Sequence, residues 1–181
     1  MVSLQNWRPG KSAPKLYGSG ENAMPTPEAR LKQLGIALPR PAAAVANYLP
    51  FVITGNLLVV SGQLPFGPDG QIAPGHKGKL GLDIFNEAGQ EAARLCAINI
   101  LAQAKEAAGS LSNIRRCVRL VGDVNAGPKF QAIPAVVNGA SDLMVAVLGE
   151  KGKHARAAVG VAELPLDAAV EVEAMFEIDL K

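Results

Sequence analysis

Arg156 and Glu171, in the last quarter of the chain, are the two side chains whose surroundings best suit a chemical site. Residues 154–178 alternate in character with a period of two, which predicts two β-strands joined by a turn at Leu164-Pro165. We interpret this segment as a two-stranded ribbon with one apolar face and a second face that carries both charges. Small residues flank Arg156 on that second face, so a ligand has room to lie beside its side chain.

A plainer interpretation of the same two charges stays open at this point. An arginine and a glutamate on facing strands often form a solvated ion pair that contributes about 0.2 to 1 kcal/mol. Ala158, Gly160 and Ala162 weigh against it, because a face in plain solvent usually carries longer polar side chains. These three small residues are the reason to treat Arg156 as a candidate binding residue.

Composition and charge narrow the class of protein. A formal charge of +2 over 181 residues gives no case for nucleic acid or an anionic membrane as partner. The sequence shows no apolar run close to the roughly 20 residues that cross a bilayer, and no secretory signal. Cys96 and Cys117 lie in apolar segments, which favours buried thiols over a disulfide or metal site and suits a cytoplasmic protein.

The chain is expected to hold one domain over residues 24–181, preceded by a flexible leader or added segment over 1–23. A short helix is predicted over about 26–38, with Thr26 as its cap. Residues 48–54 and 57–61 predict a β-hairpin closed by Gly55-Asn56.

The remaining elements predict an α+β fold. Long helices are predicted from Asn86 to Ala108 and over 131–148, with a strand over 114–124 between them and a short extra strand over 71–73. The order β-β-(β)-α-β-α-β-β predicts a single mixed sheet with two long helices on one face. We expect Arg156 on the other face, which then lacks a helix, and oligomerisation is the usual way to cover such a face.

Several motifs together resemble the RidA/YjgF family of small trimeric proteins. They are Ser61-Gly62-Gln63-Leu64-Pro65, the spacing from Tyr48 to Ser61, Val137-Asn138-Gly139, and the run from Arg156 to Glu173. The resemblance covers about residues 40–180. It is especially similar to a longer subgroup that is labelled chorismate-mutase-like or endoribonuclease-like, which carries Asn138-Gly139-Ala140-Ser141-Asp142-Leu143 and Gly152-Lys153-His154-Ala155-Arg156.

This resemblance implies a chorismate-mutase-like fold, three subunits packed with their sheets inward, and ligand sites between subunits. The implied activity is hydrolysis of the enamines and imines that PLP enzymes make from amino acids, giving 2-oxo acids and ammonia without a cofactor or metal. By position, Arg156 would hold the substrate carboxylate and Glu171 would position or activate water. The other implied contacts come from Tyr48, Ser61, Gly62, Asn138, His154 and Ala158.

Alternatives remain open for both residues and function. His154 either tunes the choice of substrate or is a loop histidine, Asn138 either bonds something specific or is merely exposed, and Gly62 marks either a ligand contact or a strand end. A non-catalytic trimer that binds small carboxylates is the second function. An endoribonuclease is third, because no aromatic stacking platform or acid/base histidine pair accompanies the arginines. Chorismate mutase chemistry is treated as an analogy of fold alone.

Overall fold

A five-stranded sheet with two long helices on one face forms the described part of the chain. The computed structural model describes residues 25–41 and 47–179, so the predicted leader over 1–23 lies outside the described residues. The strands are β1 (Phe51–Thr54), β2 (Leu57–Gln63), β3 (Ile114–Asn125), β4 (Ala155–Val161) and β5 (Val170–Ile178). The helices are α1 (Pro27–Gln33), α2 (Asn86–Ala108) and α3 (Ile133–Leu148). The predicted α+β architecture with one mixed sheet is confirmed.

The strand order across the sheet is β1-β2-β5-β3-β4. β5 pairs antiparallel with β2 and β3, whereas β4 pairs parallel with β3 at the edge of the sheet. The predicted ribbon of two adjacent strands over 154–178 is therefore wrong, because β3 lies between β4 and β5. The physical reason is that β3, α3 and β4 form a crossover unit, in which two parallel strands are joined through a helix that packs on the sheet.

The face assigned to Arg156 is also wrong. Arg156, Ala158 and Gly160 lie on the side of β4 that faces α3: Arg156 bonds two side chains of that helix, and Ala158 packs against the core. A Cβ atom on Gly160 would lie 2.9 Å from Cδ1 of Ile133 in the first turn of α3. The small residues of β4 therefore make room for a helix of the same chain.

Local signals in the sequence set three helix ends as predicted, whereas α1 ends at Gln33, earlier than the predicted end at about residue 38. The Thr26 side chain accepts a hydrogen bond of 3.1 Å from the backbone N–H of Ala29 and so caps α1. Gly109 ends α2 with a φ of 77°, a left-handed conformation that favours glycine. Pro134 lies in the first turn of α3, where its missing N–H leaves no helical bond unmade.

Glu28 fixes α1 to the turn that follows α2. Its carboxylate accepts hydrogen bonds of 2.9 Å from both the Ser110 hydroxyl and the Leu111 backbone N–H, and one of 3.2 Å from the Ser112 hydroxyl. Partial burial acts to raise the pKa of Glu28, but these hydrogen bonds outweigh it and hold the pKa below its usual range. The short helix is thus an attached edge of the domain.

The hydrophobic core lies between the sheet and the two long helices. Its largest fully buried side chains include Leu58, Ile100, Leu120, Met144 and Phe176. Cys96 and Cys117 are buried free thiols, as expected, and burial raises the pKa of Cys117 to about 12 and that of Cys96 well above its ordinary value. Within the described residues the opposite face of the sheet has no helix on it, and Val52 and Val159 are nearly half exposed there.

Two smaller expectations also change. In place of a strand over 71–73, the loop 65–85 makes isolated bridges, including one between Phe66 and Ile72, and a short 3-10 helix at Pro74–His76. The stretch Ile133–Gly152 is long and apolar enough, by length and composition, to cross a membrane, contrary to the expectation that none is. Its buried side, with Val137 and Met144, packs in the hydrophobic core.

Candidate functional site

Four polar residues meet where β4 lies against α3, and we call them the Arg156 cluster: Asn138, Ser141, His154 and Arg156. Nη1 of Arg156 donates to Oδ1 of Asn138 at 2.8 Å and to Oγ of Ser141 at 3.1 Å. Asn138 and Ser141 are three residues apart and therefore share one side of α3. The helix thus presents two acceptors to one nitrogen of the guanidinium, which fixes the direction of the arginine. Asn138 is both exposed and bonded to a specific partner.

The rest of the Arg156 guanidinium is available to a ligand. Among the described residues, no hydrogen bond or ion pair engages its Nε or Nη2, and the side chain is exposed at the sheet edge. These two groups form one edge of the guanidinium, and two parallel N–H groups match the two oxygens of a carboxylate. The cluster can therefore bind a small carboxylate from one side while α3 holds the arginine from the other.

Ser141 is the member of this cluster that sequence reasoning missed as a site residue. Its hydroxyl lies 3.0 Å from Nε2 of His154, and Nδ1 of His154 lies 2.6 Å from the carbonyl oxygen of Gly152. His154 is half-buried and bonded on both ring nitrogens, so it is more than a loop histidine. The available signal was the spacing from Asn138 to Ser141, one helical turn on the same side of the helix.

A second group lies on the helix-free face of the sheet, and we call it the Glu171 cluster: Ser61, Gly62, Asp123 and Glu171. β2 contains a β-bulge, in which two residues, Ser61 and Gly62, lie opposite the single residue Glu173 of β5. A Cβ atom on Gly62 would lie 2.8 Å from the carboxyl carbon of Glu171. Glycine at this position therefore gives the Glu171 carboxylate the space it occupies against the β2 backbone.

The carboxyl groups of this cluster have altered acidity. Burial raises the pKa of Glu171, and the nearby charges of Asp123 and Glu173 raise it further. Burial also raises the pKa of Asp123, which lies opposite Glu171 in the pairing of β3 with β5. A carboxylate with a raised pKa is a stronger base near neutral pH, which is the property that a proton acceptor needs.

Ser61 and Tyr48 lie at the border of the Glu171 cluster. The Ser61 hydroxyl donates a hydrogen bond of 2.7 Å to the carbonyl oxygen of Leu49, and its backbone N–H donates to that of Pro50 at 3.0 Å. These bonds hold the segment that enters β1. The Tyr48 side chain, 54% exposed, lies next to that anchored segment and makes no hydrogen bond to the described residues.

The structure keeps the two clusters apart within one chain. Arg156 pairs with Leu120 of β3, whereas Glu171 pairs with Asp123 from the other side of β3. Two strand spacings and three residues along β3 separate their Cα atoms by roughly 14 Å, and the side chains leave opposite faces of the sheet. The expectation that Arg156 and Glu171 share one face is therefore wrong for a single chain.

The other cavities do not join the two clusters. A cavity of about 240 Å³ lies between the loop at 66–70 and α2, where Arg40, Gln63 and Asn99 contribute polar groups. None of the predicted site residues lines it. Among the described residues, no group of three or more His, Cys, Asp or Glu side chains is arranged to hold a metal ion.

Comparison with known proteins places the chain. Residues 28–178 match the family model described as "YjgF/chorismate_mutase-like, putative endoribonuclease". The chain is 46% identical over 152 residues to protein TCP17 of Trypanosoma cruzi, covering 83% of this chain and 93% of that protein. A structure of a protein of unknown function from Agrobacterium tumefaciens is 53% identical, with a TM-score of 0.78 over 84% of this chain and 92% of that one.

A third relative carries the name RidA. RidA from an Antarctic Psychrobacter species is 31% identical, with a TM-score of 0.55 over 77% of this chain and 94% of that one. The fold, with helices on one face of a mixed sheet, is that of the chorismate-mutase-like α+β class. Within that class, the chain belongs to the YjgF/RidA family.

Proposed function

We propose that this protein hydrolyses imines and enamines of small amino acids to 2-oxo acids and ammonia, in sites that form between the subunits of a homotrimer. The observation that supports this most is the state of the Arg156 guanidinium. Residues of α3 hold its Nη1 group, and its Nε and Nη2 groups are exposed and can bind a carboxylate. Imines and enamines derived from amino acids carry that carboxylate. One charge-assisted hydrogen-bond pair contributes about 1.5 to 3 kcal/mol, and millimolar binding corresponds to about 4 kcal/mol. The arginine can therefore supply a large part of the binding free energy of a weakly bound substrate.

The separation of the two clusters supports a site shared by two subunits. Arg156 lies at the β4 edge, and Glu171 lies on the helix-free face. If the β4 edge of one subunit meets the helix-free face of the next, each Arg156 approaches the neighbouring Glu171. Such a head-to-tail contact closes into a ring when the rotation permits, and a homotrimer is one such ring. Burial of the exposed side chains of Val52 and Val159 on that face would stabilise this contact further.

In the proposed reaction, the carboxylate of the substrate binds Arg156 and its C=N carbon faces Glu171. Glu171 takes a proton from water, and the resulting hydroxide adds to the electrophilic carbon. Glu171 returns that proton to the nitrogen, which gives the carbinolamine. The carbinolamine expels ammonia as its hydroxyl proton moves to the nitrogen and the carbonyl forms, so one C=N bond and one water become one C=O bond and ammonia. Gly62 supports this role because it leaves the Glu171 carboxylate room against β2.

The direct test is the rate of 2-oxo acid formation in a PLP-dependent threonine dehydratase reaction that contains the purified protein. We expect acceleration over buffer, loss of the acceleration in Arg156→Ala, and full acceleration in Asp142→Asn. Asp142 is exposed on α3, and among the described residues no hydrogen bond or ion pair joins its side chain to a site residue, so it is a matched control. Equal rates with and without the wild-type protein would contradict the proposal.

A second candidate function is small-carboxylate binding without turnover. It is favoured by the fact that the Arg156 cluster is assembled within one chain while Glu171 lies elsewhere. Calorimetry with 2-oxobutanoate separates the two functions. A pure binding protein would bind it with equal affinity in wild type and Glu171→Gln, and neither form would accelerate the dehydratase reaction.

Endoribonuclease activity, the label in the family description, has less support in this chain. The two histidines contact different partners, His76 lying near Glu91 and His154 bonding Ser141, so they do not form an acid and base pair. RNA affinity that falls steeply with added salt, together with cleavage that depends on either histidine, would restore that function.

A further inference from the structure

Ser141, His154 and the carbonyl of Gly152 form a line of hydrogen bonds whose direction can be assigned. A carbonyl oxygen only accepts, so the bond of 2.6 Å to it requires a proton on Nδ1 of His154. In the neutral ring, Nε2 then carries a lone pair, and it lies 3.0 Å from Oγ of Ser141. The Ser141 hydroxyl therefore donates to His154. Hydroxyl, imidazole and orienting acceptor are the three parts of an activated serine.

The backbone holds these three parts in place. Ser141 lies within α3, and His154 immediately precedes β4, so each belongs to or adjoins a regular element. Gly152 packs directly on α3: a Cβ atom there would lie 2.6 Å from the carbonyl carbon of Met144. Only glycine permits this approach, and it brings the Gly152 carbonyl against the histidine ring. The loop between α3 and β4 thus fixes the tautomer of His154.

Arg156 adds a positive charge at Ser141, and Asn138 holds that arginine in place. Nη1 of Arg156 donates to Oγ of Ser141 at 3.1 Å, which favours the ionised form of the hydroxyl. Oδ1 of Asn138 accepts from the same nitrogen, so its NH₂ group is oriented away and remains a donor. The donor that the structure places at the Ser141 oxygen is therefore Nη1 of Arg156, which Asn138 holds in position. Ser141 and His154 are half-buried, so reagents can reach them.

We propose that Ser141 is a nucleophile, with His154 as its base, and that the Arg156 cluster carries out acyl transfer from small esters that bear a carboxylate. Ser141 loses its proton to Nε2 and attacks the ester carbonyl carbon. The C–O bond to the alcohol breaks, and the alcohol leaves with that proton. Water then attacks the acyl-serine while Nε2 again takes the proton, and the acid leaves as Ser141 is restored. This activity needs no contribution from Glu171 and is independent of imine hydrolysis.

The competing explanation is that the same bonds only attach β4 to α3, and reactivity distinguishes the two. The test treats the purified full-length protein with diisopropyl fluorophosphate and measures the intact mass and the modified peptide. We expect one adduct per chain, on Ser141, as the P–F bond is replaced by a P–Oγ bond. The adduct should be absent in Ser141→Ala, and its rate should fall about 100-fold in His154→Gln, which lacks a base. Ser112→Ala, which alters a serine bonded to Glu28, should label like wild type.

Two further measurements keep the test decisive if a variant folds poorly. In Ser141→Cys, the new thiol should react with iodoacetamide faster than a free cysteine, and adding His154→Gln should remove that excess; Cys96 and Cys117 are buried and give little background. The wild type should also hydrolyse the 4-nitrophenyl half-ester of succinate, and Arg156→Ala should not. No adduct, an adduct elsewhere, labelling that is unchanged in His154→Gln, or labelling without ester hydrolysis would each overturn the proposal.

Discussion

Arg156 on β4 and Glu171 on β5 project from opposite faces of one sheet, with β3 between their strands. Each residue has its own support: Asn138 and Ser141 hold the arginine, and the glycine at 62 gives the glutamate its space. The two residues thus form two partial sites that cannot meet within one chain. This arrangement is expected when a second copy of the chain completes the site.

Mixing two inactive variants should restore activity. Arg156→Ala and Glu171→Ala each remove one half of the proposed site, so each should be inactive alone. After subunits are exchanged in an equal mixture, a site has an intact arginine half the time and an intact glutamate half the time, so about one quarter of sites are complete. The measurement is the rate of 2-oxo acid release, with the mass in solution checked by light scattering.

The mixing experiment also has a clear negative outcome. A mixture that stays inactive although mass spectrometry shows mixed oligomers would show that Arg156 and Glu171 do not form a site shared by two subunits. An equal mixture of Arg156→Ala with Arg156→Lys, which share the defective half, is the control and should regain nothing. A particle mass other than that of three chains would contradict the trimer. The activity of the mixture would still show whether two subunits share the site.

Replacing Glu171 by glutamine should stabilise the protein when no arginine faces it. Burial and the charges of Asp123 and Glu173 raise its pKa, so the ionised carboxylate disfavours the folded state above that pKa. In the Arg156→Ala background, Glu171→Gln should raise the free energy of unfolding at pH 8 by up to about 1 kcal/mol, allowing for solvent screening of a half-buried group. The gain should disappear as the pH falls through the raised pKa, since Glu171 is then protonated.

The same substitution in two backgrounds reports on the partner. If the neighbouring Arg156 faces Glu171, the gain should be smaller in the wild-type background than in Arg156→Ala, because the arginine favours the ionised carboxylate. Denaturant unfolding at pH 8 and at acid pH gives all four values. Asp142→Asn, a charge removal at an exposed position, is the control and should change little. Equal gains in both backgrounds would argue against a facing arginine.

Substituting Gly62 by alanine should lower activity at little cost in stability. The new Cβ would meet the end of the Glu171 side chain, which is flexible and can turn away. A carboxylate displaced by about 1 Å loses on the order of 100-fold in rate, whereas the free energy of unfolding should change by less than about 1 kcal/mol. Gly75→Ala, where no atom lies within 4 Å of the added Cβ, is the matched control. Loss of folding in Gly62→Ala would contradict the view that Gly62 serves to position the Glu171 carboxylate.

The sequence predicted the helices and most strands because their signals are local. Periodicity and Gly109 defined α2 from Asn86 to Ala108, and Gly55-Asn56 closed the first hairpin. The pairing of β4 was not local: period two tells which residues share a face of a strand, but not which strand lies beside it. The alternation of side chains around Arg156 was therefore predicted correctly, but the strand beside β4 and the face of the sheet that carries Arg156 were not.

The site was predicted in parts for the same reason. Arg156, Asn138 and His154 were identified individually, and the structure brings these three together. Ser141 was missed because a serine inside a helix has no strong pattern of its own, and the β-bulge at Ser61 and Gly62 was missed because a register shift depends on the opposing strand. Both features require the tertiary contacts between elements that composition and spacing do not specify.

Gly139 should tolerate no side chain, because it sets the distance between α2 and α3. A Cβ atom there would lie 2.8 Å from the carbonyl carbon of Gln90, which is backbone and cannot turn away. Alanine normally gains about 1 kcal/mol over glycine within a helix, but forcing the two helices apart costs about 1 to 3 kcal/mol, so Gly139→Ala should be less stable overall. The shift should also move Asn138 away from Arg156 and weaken carboxylate binding. Thermal unfolding and calorimetry measure both effects, with Gly75→Ala as control, and a Gly139→Ala protein more stable than wild type would show that the helices separate freely.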